Sequence, residues 1–445
     1  MTNALSTAIN FETVKFLEKA RSPEISSLPQ ASFWLKISKH PWFMPYNRLA
    51  FLVIVFNVLA LRTLTDGFIV SPFALPKQTV AAYVLANFSV ANLIRQQYLI
   101  NLLFKLATSV PTNFPLSIRW ALGKIYHFGG IHVGAFLSGS LWLLLSTLQV
   151  GRESETNTET YLLLRIHLFI LTVMIIMALP FIRARFHNQF ELVARFGGWL
   201  SLLLFWIQAY LNPLLDLRIQ APILIALSVS IAVPWLKLKK VPVSILTPSS
   251  HVAITNFQYG VTPFAGSSTE LSRNPLFEWH AFANVPYPGK KGFQLMISRA
   301  GDWTGKLIDD KPAHLWVKGI PTAGVGNIET LFKKVIWVAT GSGIGPCVPH
   351  ILANTVPSRL VWSTRTPHQT FGDELTKEIL AVQPDAILWD TKKDGKADLV
   401  KLAFQAYKEF GAEAIICISN KKTTWKVVYE LESRGIPAFG AIWDS

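Results

Sequence analysis

Cysteine is the residue that this chain most conspicuously lacks. Only Cys347 and Cys417 occur in 445 residues, and both lie in the second half. Two thiols provide neither a disulfide framework nor the ligand spacing of a zinc site. They suit a reducing, cytosolic environment.

Acidic residues are also few, because 27 Asp and Glu stand against 42 Lys and Arg, a formal net charge of +15. The basic residues are scattered, without an Arg-rich helix or a base-stacking motif, which argues against nucleic acid as a partner. Anionic lipid headgroups and dinucleotide phosphates explain this charge better. The N-terminal stretch has no short apolar core after a basic start, so no cleavable signal peptide is predicted.

Apolar residues are abundant. They make up 51% of the chain, and the mean hydropathy of +0.34 is too high for an ordinary soluble protein. Six runs approach the roughly 20 residues that cross a bilayer. They predict a bundle of about six transmembrane helices, with both termini on one side, at residues 49–64, 79–94, 125–150, 161–181, 192–211 and 217–236.

The distribution of Lys and Arg around these runs predicts their orientation. It places both termini and the C-terminal half in the cytoplasm and the loop "GRESETNTET" outside, and we expect the plasma membrane rather than an internal one. Thirteen basic residues on the predicted inner side are Lys36, Lys39, Arg48, Arg95, Lys105, Arg119, Lys124, Arg183, Arg185, Arg195, Lys237, Lys239 and Lys240, against Arg62, Lys77, Arg152, Arg165 and Arg218 outside.

The pattern changes after the last apolar run. Short alternating segments such as "HVAITNFQY" and "GFQLMISRA" predict a small antiparallel β-barrel. Buried-strand candidates such as "VIWVAT" and "EAIICIS" then alternate with helix-length stretches, which is typical of an α/β parallel sheet. We therefore predict a cytoplasmic segment at 1–45, a transmembrane domain at 46–237, a barrel at 238–330 and an α/β domain at 331–445.

A glycine-rich turn, "GSGIGP", follows the first strand of the α/β series. Gly341 and Gly343 permit a tight turn and a close backbone approach to a pyrophosphate, which then meets the N-terminus of the next helix. Gly345 and Pro346 stand where a dinucleotide fingerprint has its last glycine, and proline is tolerated in a first helical turn. A purely structural strand-to-helix turn is the alternative interpretation.

Two further strand ends carry candidate site residues. "WSTR" ends the second strand, where a ribose or its 2′-phosphate lies in such folds, so Ser363 and Arg365 are a candidate phosphate clamp. The alternative is a solvated arginine, with Lys392 and Lys393 as competing charges. Cys417 ends the fourth strand, where a nicotinamide would lie, and is our candidate catalytic residue; a buried structural thiol is the alternative.

Two stretches of the barrel region, "NPLFEWHAFANVP" and "LMISRAGDWTGKL", resemble the flavin-binding barrel of the ferric reductase and NADPH oxidase group. The turn "GSGIGP" is similar to the one that opens the NAD(P)H domain of that group. The chain, including its ending "GIPAFGAIWDS", is most similar to a fungal branch of such membrane flavoproteins. The resemblance implies a ferredoxin-reductase-like barrel that binds FAD and a Rossmann-like domain that binds NADPH or NADH.

By this resemblance, His280 and Phe282 would line the flavin ring and ribityl chain, and Arg299 would neutralise the FAD pyrophosphate. Gly319 and the turn "GIPTAGVGN" would form the phosphate-cradling loop after the barrel. Without the resemblance, the alternative interpretation of His280 is a barrel histidine with satisfied hydrogen bonds.

The chain departs from the family pattern at two positions. Ala281 and Ala283 stand where the family has proline and a hydroxyl residue. The loss of the hydroxyl removes a hydrogen bond to the flavin, so we expect a lower flavin affinity.

Haem is not expected, although the resembling group carries two haems on histidine pairs. Those ligands lie 13 or 14 residues apart on one helix face, a rise of about 21 Å. Here His127 and His132 are five apart, and the fifth apolar run has Gly197 and Tyr210 where the ligands would be. A single haem between one of these histidines and His187 is conceivable; interhelical hydrogen bonding beside Gly129, Gly130 and Gly134 is the simpler interpretation.

The sequence thus predicts a membrane-anchored flavoprotein oxidoreductase that transfers hydride from NAD(P)H to FAD on the cytosolic face. Its acceptor is open among a cytosolic small molecule, a quinone, oxygen and a partner protein. One alternative is a sensor or scaffold that binds nucleotide or flavin without turnover. A haem-containing transmembrane ferric reductase is another.

Protease digestion of sealed right-side-out vesicles tests the predicted orientation. Because both termini are expected inside, external protease should cut only in the loop around Arg152–Thr160 and spare everything after Lys240. Immunoblots against tags at the two ends report the cuts, and permeabilised vesicles are the control. Digestion of the C-terminal half from outside would overturn the topology.

Overall fold

The computed structural model describes residues 28–153, 158–211, 213–258, 263–286 and 291–440. Residues 1–27 of the predicted cytoplasmic segment and 154–157 of the loop "GRESETNTET" lie outside the described residues. So do residues 212, 259–262 and 287–290 and the last five positions of the sequence, 441–445.

Helices form the first half of the chain. A short N-terminal helix, α1 (Phe33–Ser38), precedes nine further described helices. These are α2 (Pro45–Leu64), α3 (Lys77–Leu93), α4 (Gln97–Thr108), α5 (Leu116–Leu122), α6 (Gly129–Val150), α7 (Thr158–Ala178), α8 (Pro180–Arg185), α9 (His187–Leu211) and α10 (Leu217–Leu236).

Five of the described helices are long and apolar enough to cross a membrane: α2, α6, α7, α9 and α10. The sixth predicted span, 79–94, is helix α3, whose 17 residues extend for only about 25 Å. Val80, Val84 and Leu85 of α3 are buried within the bundle. The residues before α2 and those after α3 both contact the C-terminal half, so α3 returns the chain to the end of the bundle where α2 began.

Small residues bring α2 and α6 together. A Cβ atom at Gly130 would lie 2.0 Å from the carbonyl oxygen of Tyr46, and one at Gly134 would lie 2.5 Å from that of Ala50. The prediction of close helix contact at these glycines is confirmed. A buried network adds specificity, because Asn57 and Asn87 exchange hydrogen bonds of 3.1 and 2.8 Å between α2 and α3.

The histidines of the bundle make ordinary packing contacts. The His132 ring nitrogen Nδ1 lies 2.8 Å from the carbonyl oxygen of Ala91. The His167 ring packs against Phe88 and Phe205, with centroid distances of 6.1 and 4.7 Å. The contact of His132 agrees with the interhelical hydrogen-bond interpretation, whereas Nε2 of His167 is buried without a hydrogen-bond partner among the described residues.

An antiparallel sheet begins at Leu238, two residues after α10 ends. Its strand order is β4-β3-β7-β1-β2-β6-β5, with β8 paired to β3. The strands curve around one core that includes Phe257, Leu271, Phe293 and Leu315. The strands and the helix of this layer are β1 (Leu238–Ser249), β2 (Val252–Phe257), β3 (Ser267–Ser272), β4 (His280–Ala283), β5 (Val285–Pro286), β6 (Phe293–Ser298), α11 (Asp302–Asp310), β7 (His314–Lys318) and β8 (Thr322–Ala323).

A five-stranded parallel sheet follows, in the order β11-β10-β9-β12-β13. Alternation along β9 directs Trp337 toward α12 and the barrel, and Val338 toward α15 and α16. Its elements are β9 (Val335–Thr340), α12 (Ile344–Ala353), β10 (Ser358–Thr364), α13 (Pro367–Phe371), α14 (Asp373–Val382), β11 (Ile387–Asp390), α15 (Leu399–Phe410), β12 (Ala414–Ile418), α16 (Lys421–Glu432) and β13 (Ala438–Gly440).

The segment between α3 and α6 joins the two halves of the chain. We call residues 97–128, which include helices α4 and α5, the docking loop. Ile100 and Phe104 of this loop share a core cluster with Ile328 and Phe332, which lie between the barrel and the parallel sheet. The loop therefore packs into the C-terminal half.

Valine at Gly134 should destabilise the protein, because its side chain would intrude on the backbone of α2. We expect the thermal midpoint in detergent to fall by roughly 4 °C or more. Gly198→Val in α9 is the matched control, since nothing described lies within 4 Å of a Cβ there. Equal midpoints for the two variants would contradict the close α2–α6 contact.

Candidate functional site

The glycine turn lies at the carboxyl end of β9, the central strand of the parallel sheet. Gly341–Gly343 form a single 3-10 turn before α12. Gly341 has a φ of +50°, and among the described residues nothing lies within 4 Å of a Cβ placed there. Its carbonyl accepts a 2.9 Å hydrogen bond from Trp362 Nε1. Gly341 is therefore the position of the turn at which a left-handed backbone needs glycine.

Gly343 has a different reason to be glycine than the one we predicted. Its φ is −57°, so no left-handed strain arises there. A Cβ atom would lie 2.1 Å from the carbonyl oxygen of Ile418 on β12. The neighbouring strand, rather than a bound pyrophosphate, accounts for the lack of room at this position.

The next two residues of the motif begin α12. A Cβ atom at Gly345 would lie 3.3 Å from Cβ of Met296 on β6, so this glycine allows the helix to approach the barrel. Pro346 lies in the first turn of α12, where its missing N–H is not needed. Gly345 therefore serves the contact between α12 and the barrel, and Pro346 suits the start of α12.

A row of hydroxyl groups lies between the barrel and the parallel sheet. Ser298, the last residue of β6, donates a 2.8 Å hydrogen bond to Ser342 Oγ of the glycine turn. Thr340 and Ser419 share a short hydroxyl contact between β9 and β12. The turn thus lies at the carboxyl edge of adjacent parallel strands, which is where such sheets bind ligands.

The structure separates the two members of the predicted phosphate clamp. Ser363 is only 6% exposed, whereas Arg365 is exposed at the strand end. Asp390, which sequence reasoning missed, accepts hydrogen bonds of 2.9 Å from the backbone N–H groups of Thr366 and Lys392. These hydrogen bonds lower the pKa of Asp390, and the bond from Thr366 has the largest effect. Arg365 therefore lies beside a turn that Asp390 holds.

The barrel residues His280 and Phe282 share a neighbour on α11. The Trp303 ring lies 4.3 Å from the His280 ring and 5.8 Å from the Phe282 ring. Trp303 Nε1 donates a 2.8 Å hydrogen bond to Glu278. Burial lowers the pKa of His280, and its Nε2 has no partner within the described part of the chain. Trp303 thus covers one side of the two rings expected to line a flavin.

Arg299 is engaged by an acidic partner. Its guanidinium binds Asp309 of α11 through two nitrogens, one at 3.0 Å. This hydrogen bond raises the pKa of Arg299 and lowers that of Asp309. Before α11, the backbone of Gly301 is open, with nothing described within 4 Å of a Cβ. Arg299 therefore flanks an accessible helix N-terminus but already carries a counter-ion.

The turn after the barrel is occupied by the docking loop. Gly319 N–H donates to the carbonyl of Lys237 at 3.2 Å. Asn101 then donates to Pro321 O at 2.9 Å and accepts from Ala323 N–H at 2.8 Å. The helical half therefore covers the segment expected to cradle a phosphate.

Cys417 lies on the wrong face of the sheet for the role we predicted. It is fully buried, and it packs with Val338, Val427 and Leu431 beneath α15 and α16. Burial raises the pKa of its thiol to about 12. The face toward the barrel is formed by Ile416 and Ile418 instead. The alternative, a structural thiol, agrees with this position.

Comparison with known proteins gives a family match for the α/β region. Residues 325–445 match the model "Adenylate-forming reductase 03009, C-terminal domain". Two curated proteins of Coprinopsis cinerea, adenylate-forming reductases 03009 and 06235, are each 41% identical over 423 residues. The match covers 92% of this chain and 41% of each relative. The chain thus spans about two fifths of these relatives, and its resemblance to the ferric reductase group stays a prediction.

Solved structures with partial similarity include a ferredoxin NADP+ reductase from Neisseria gonorrhoeae with bound FAD and NADP, at 14% identity and a TM-score of 0.36. That match covers 46% of this chain and 98% of the other. The ferredoxin-NADP+ reductase from Plasmodium falciparum with 2'P-AMP is 12% identical, with a TM-score of 0.35, over 46% and 95% of the two chains.

Both thiols should resist alkylation in the folded protein. Burial raises the pKa of Cys347 well above its ordinary value and that of Cys417 to about 12, so the reactive thiolate is scarce at pH 8. A maleimide should label neither thiol in the native protein and both in denaturant, as mass spectrometry would report. Rapid native labelling of Cys417 would contradict its position.

Proposed function

We propose that this chain is a membrane-anchored flavoprotein oxidoreductase that transfers hydride from NAD(P)H to FAD. The observation that carries the proposal is the glycine turn at the carboxyl edge of the parallel sheet. There the open backbone of Gly341 lies one residue from Ser342, which is hydrogen-bonded to the last residue of barrel strand β6. A dinucleotide on this turn would lie next to the barrel.

The residues at this edge fit a dinucleotide. The turn and the N-terminus of α12 present backbone N–H groups to a pyrophosphate. Arg365, exposed at the end of β10, would bind the 2′-phosphate that distinguishes NADPH from NADH. The carboxylate of Asp390 holds the turn that carries Arg365. These groups would orient the nucleotide rather than take part in the chemistry.

A flavin fits the adjacent barrel edge. The open Gly301 and the N-terminus of α11 suit a pyrophosphate. The indole of Trp303 and the ring of Phe282 provide an apolar wall. When bound, the flavin supplies the hydride chemistry. The protein's own contribution would be to hold the two cofactors side by side and to exclude water between them.

The relatives' names support a redox role. Both curated relatives are called reductases, and the family model that matches residues 325–445 carries the same word. We extend this role to the present chain as part of the proposal. The electron acceptor is left open among a cytosolic small molecule, a quinone, oxygen and a partner protein.

The exposed surfaces of the long helices support membrane anchoring. Phe51, Leu52 and Phe56 of α2 are each at least 60% exposed, and so is Phe169 of α7, at 68%. Apolar side chains of this size on an outer surface suit contact with lipid. The Lys and Arg distribution then supports a cytosolic position for the C-terminal half.

A sensor or scaffold without turnover is the second candidate. It is favoured by Ala283, which lacks the family's hydroxyl, and by the ion pair that already neutralises Arg299. Under this alternative, nucleotide would bind at the glycine turn without reducing a flavin.

A charge placed at Ser342 tests the proposed function. Ser342→Asp should weaken NAD(P)H binding roughly tenfold or more through repulsion of the pyrophosphate. Ser342→Asn has the shape of the Asp variant without its charge and should retain most of the binding. Anaerobic bleaching of flavin absorbance, titrated with NADPH and with NADH, measures the effect. Arg365→Gln should weaken NADPH alone.

The controls separate folding from function. Bound FAD per chain should be equal in both Ser342 variants, because the barrel is unchanged. Equal bleaching by the Asp and Asn variants would refute the nucleotide site. Nucleotide binding without bleaching in the wild type would favour the sensor.

A further inference from the structure

A cavity of about 80 Å³ lies where the N-terminal segment, the docking loop and α16 meet. It is separate from the glycine turn and from the barrel edge. It has room for several water-sized groups. Its lining includes Lys39, Arg48, Lys124, His127, Tyr429 and Glu432.

The charges around this cavity are unbalanced. Lys39 and Lys124 share one carboxylate, that of Glu432, at 3.6 and 2.7 Å. The Trp120 indole N–H also donates to Glu432, at 2.8 Å. Arg48 adds a third cation to the lining. Burial lowers the pKa of Lys39 and of Lys124, and the carboxylate of Glu432 opposes this effect at both. Three cations thus face one carboxylate.

His127 contributes an unpaired polar atom to the same wall. The residue is only 6% exposed, and its ring lies 4.4 Å from that of Tyr126. Within the described ranges, Nδ1 is buried without a hydrogen-bond partner. A buried nitrogen of this kind costs free energy unless a ligand or water satisfies it.

Exposed aromatic side chains lie in the N-terminal segment that borders this cavity, and one of them, Phe43, lines it. Trp34 and Trp42 are 75% and 80% exposed, and Phe33 and Phe43 are 68% and 54% exposed. Phe33 and Trp34 lie in α1, and Trp42 and Phe43 directly precede α2, one of the helices long enough to span a membrane. Trp at the end of a span is typical of the interface where lipid headgroups lie.

We propose that this cavity binds the phosphate of an anionic phospholipid headgroup. The inference rests on the membrane anchoring in the proposed function. The excess of basic groups suits a phosphate with no cation of its own, and a zwitterionic headgroup would bring its ammonium toward Lys39 and Arg48. Gly440, at the end of β13, also lines the cavity. The lipid therefore contacts the helical bundle and the α/β domain together.

Headgroup selectivity in detergent tests this site with the full chain. Short-chain phosphatidic acid should bind the wild type roughly tenfold more tightly than phosphatidylcholine with the same chains, as measured by titration calorimetry. Inorganic phosphate at equal concentration should bind weakly, since it lacks the acyl contacts with the exposed aromatics. Equal affinity for the two lipids would overturn the proposal.

Two double variants at the cavity and a third elsewhere locate the binding. Lys39→Gln with Arg48→Gln should remove the preference for phosphatidic acid, and Lys39→Gln with Arg48→Lys should recover part of it. Lys105→Gln with Arg185→Gln removes the same charge at exposed positions elsewhere, and should leave the preference unchanged. An unchanged preference in the first variant would refute the assignment. Binding of inorganic phosphate as tight as that of the lipid would assign the cavity to a soluble phosphate instead.

The outcome is distinguishable from failure of the proposed function. Carbonate extraction of cell membranes reports anchoring by itself, and flavin bleaching reports cofactor use. Firm anchoring without headgroup selectivity would reject the lipid site alone. Release by carbonate, with phosphatidic acid still preferred in detergent, would reject the anchor and retain the cavity as a phospholipid site.

Discussion

The ion pair between the buried Arg119 and the partly exposed Glu413 is the interaction on which the arrangement of the two halves depends. Arg119 is 4% exposed and donates to Glu413 at 2.7 Å and to the carbonyl of Leu331 at 2.9 Å. Removing Glu413 would leave the buried guanidinium of Arg119 without its counter-ion, which is unfavourable in a protein interior. The pair fixes the docking loop against both the linker after the barrel and the start of β12.

The docking loop makes the helical half part of the architecture of the C-terminal half. Asn101 holds the turn after β7, and Lys124 donates to the carbonyl of Ala438 at 2.7 Å on the outermost strand β13. Tyr126 accepts from the Gly440 N–H at 3.3 Å. A displacement of the docking loop would therefore alter contacts both at the turn after β7 and at strand β13. The cavity beside α16 exists only because these parts meet.

The candidate site shows why local motifs predict positions better than roles. "GSGIGP" correctly marks a strand-to-helix turn, because glycine and proline limit the backbone locally. Its three glycines nevertheless have different surroundings: Gly341 faces open space, Gly343 faces Ile418 of β12, and Gly345 faces Met296 of the barrel. The sequence contains no signal for these partners, since each lies tens of residues away. Asp390 was missed for the same reason.

The sequence by itself determined the apolar helices, the change to short strands at Leu238 and the turn after β9, because hydrophobic periodicity and glycine act over a few residues. Only the tertiary structure decided which neighbouring element each face of a helix or strand packs against. Alternation along β12 places Cys417 and Ile418 on opposite faces, but strand order decides which face meets the barrel. Likewise Arg119 and Glu413 are 294 positions apart, and only folding brings them together. Pairing over such distances depends on the packing of whole elements, which no short motif encodes.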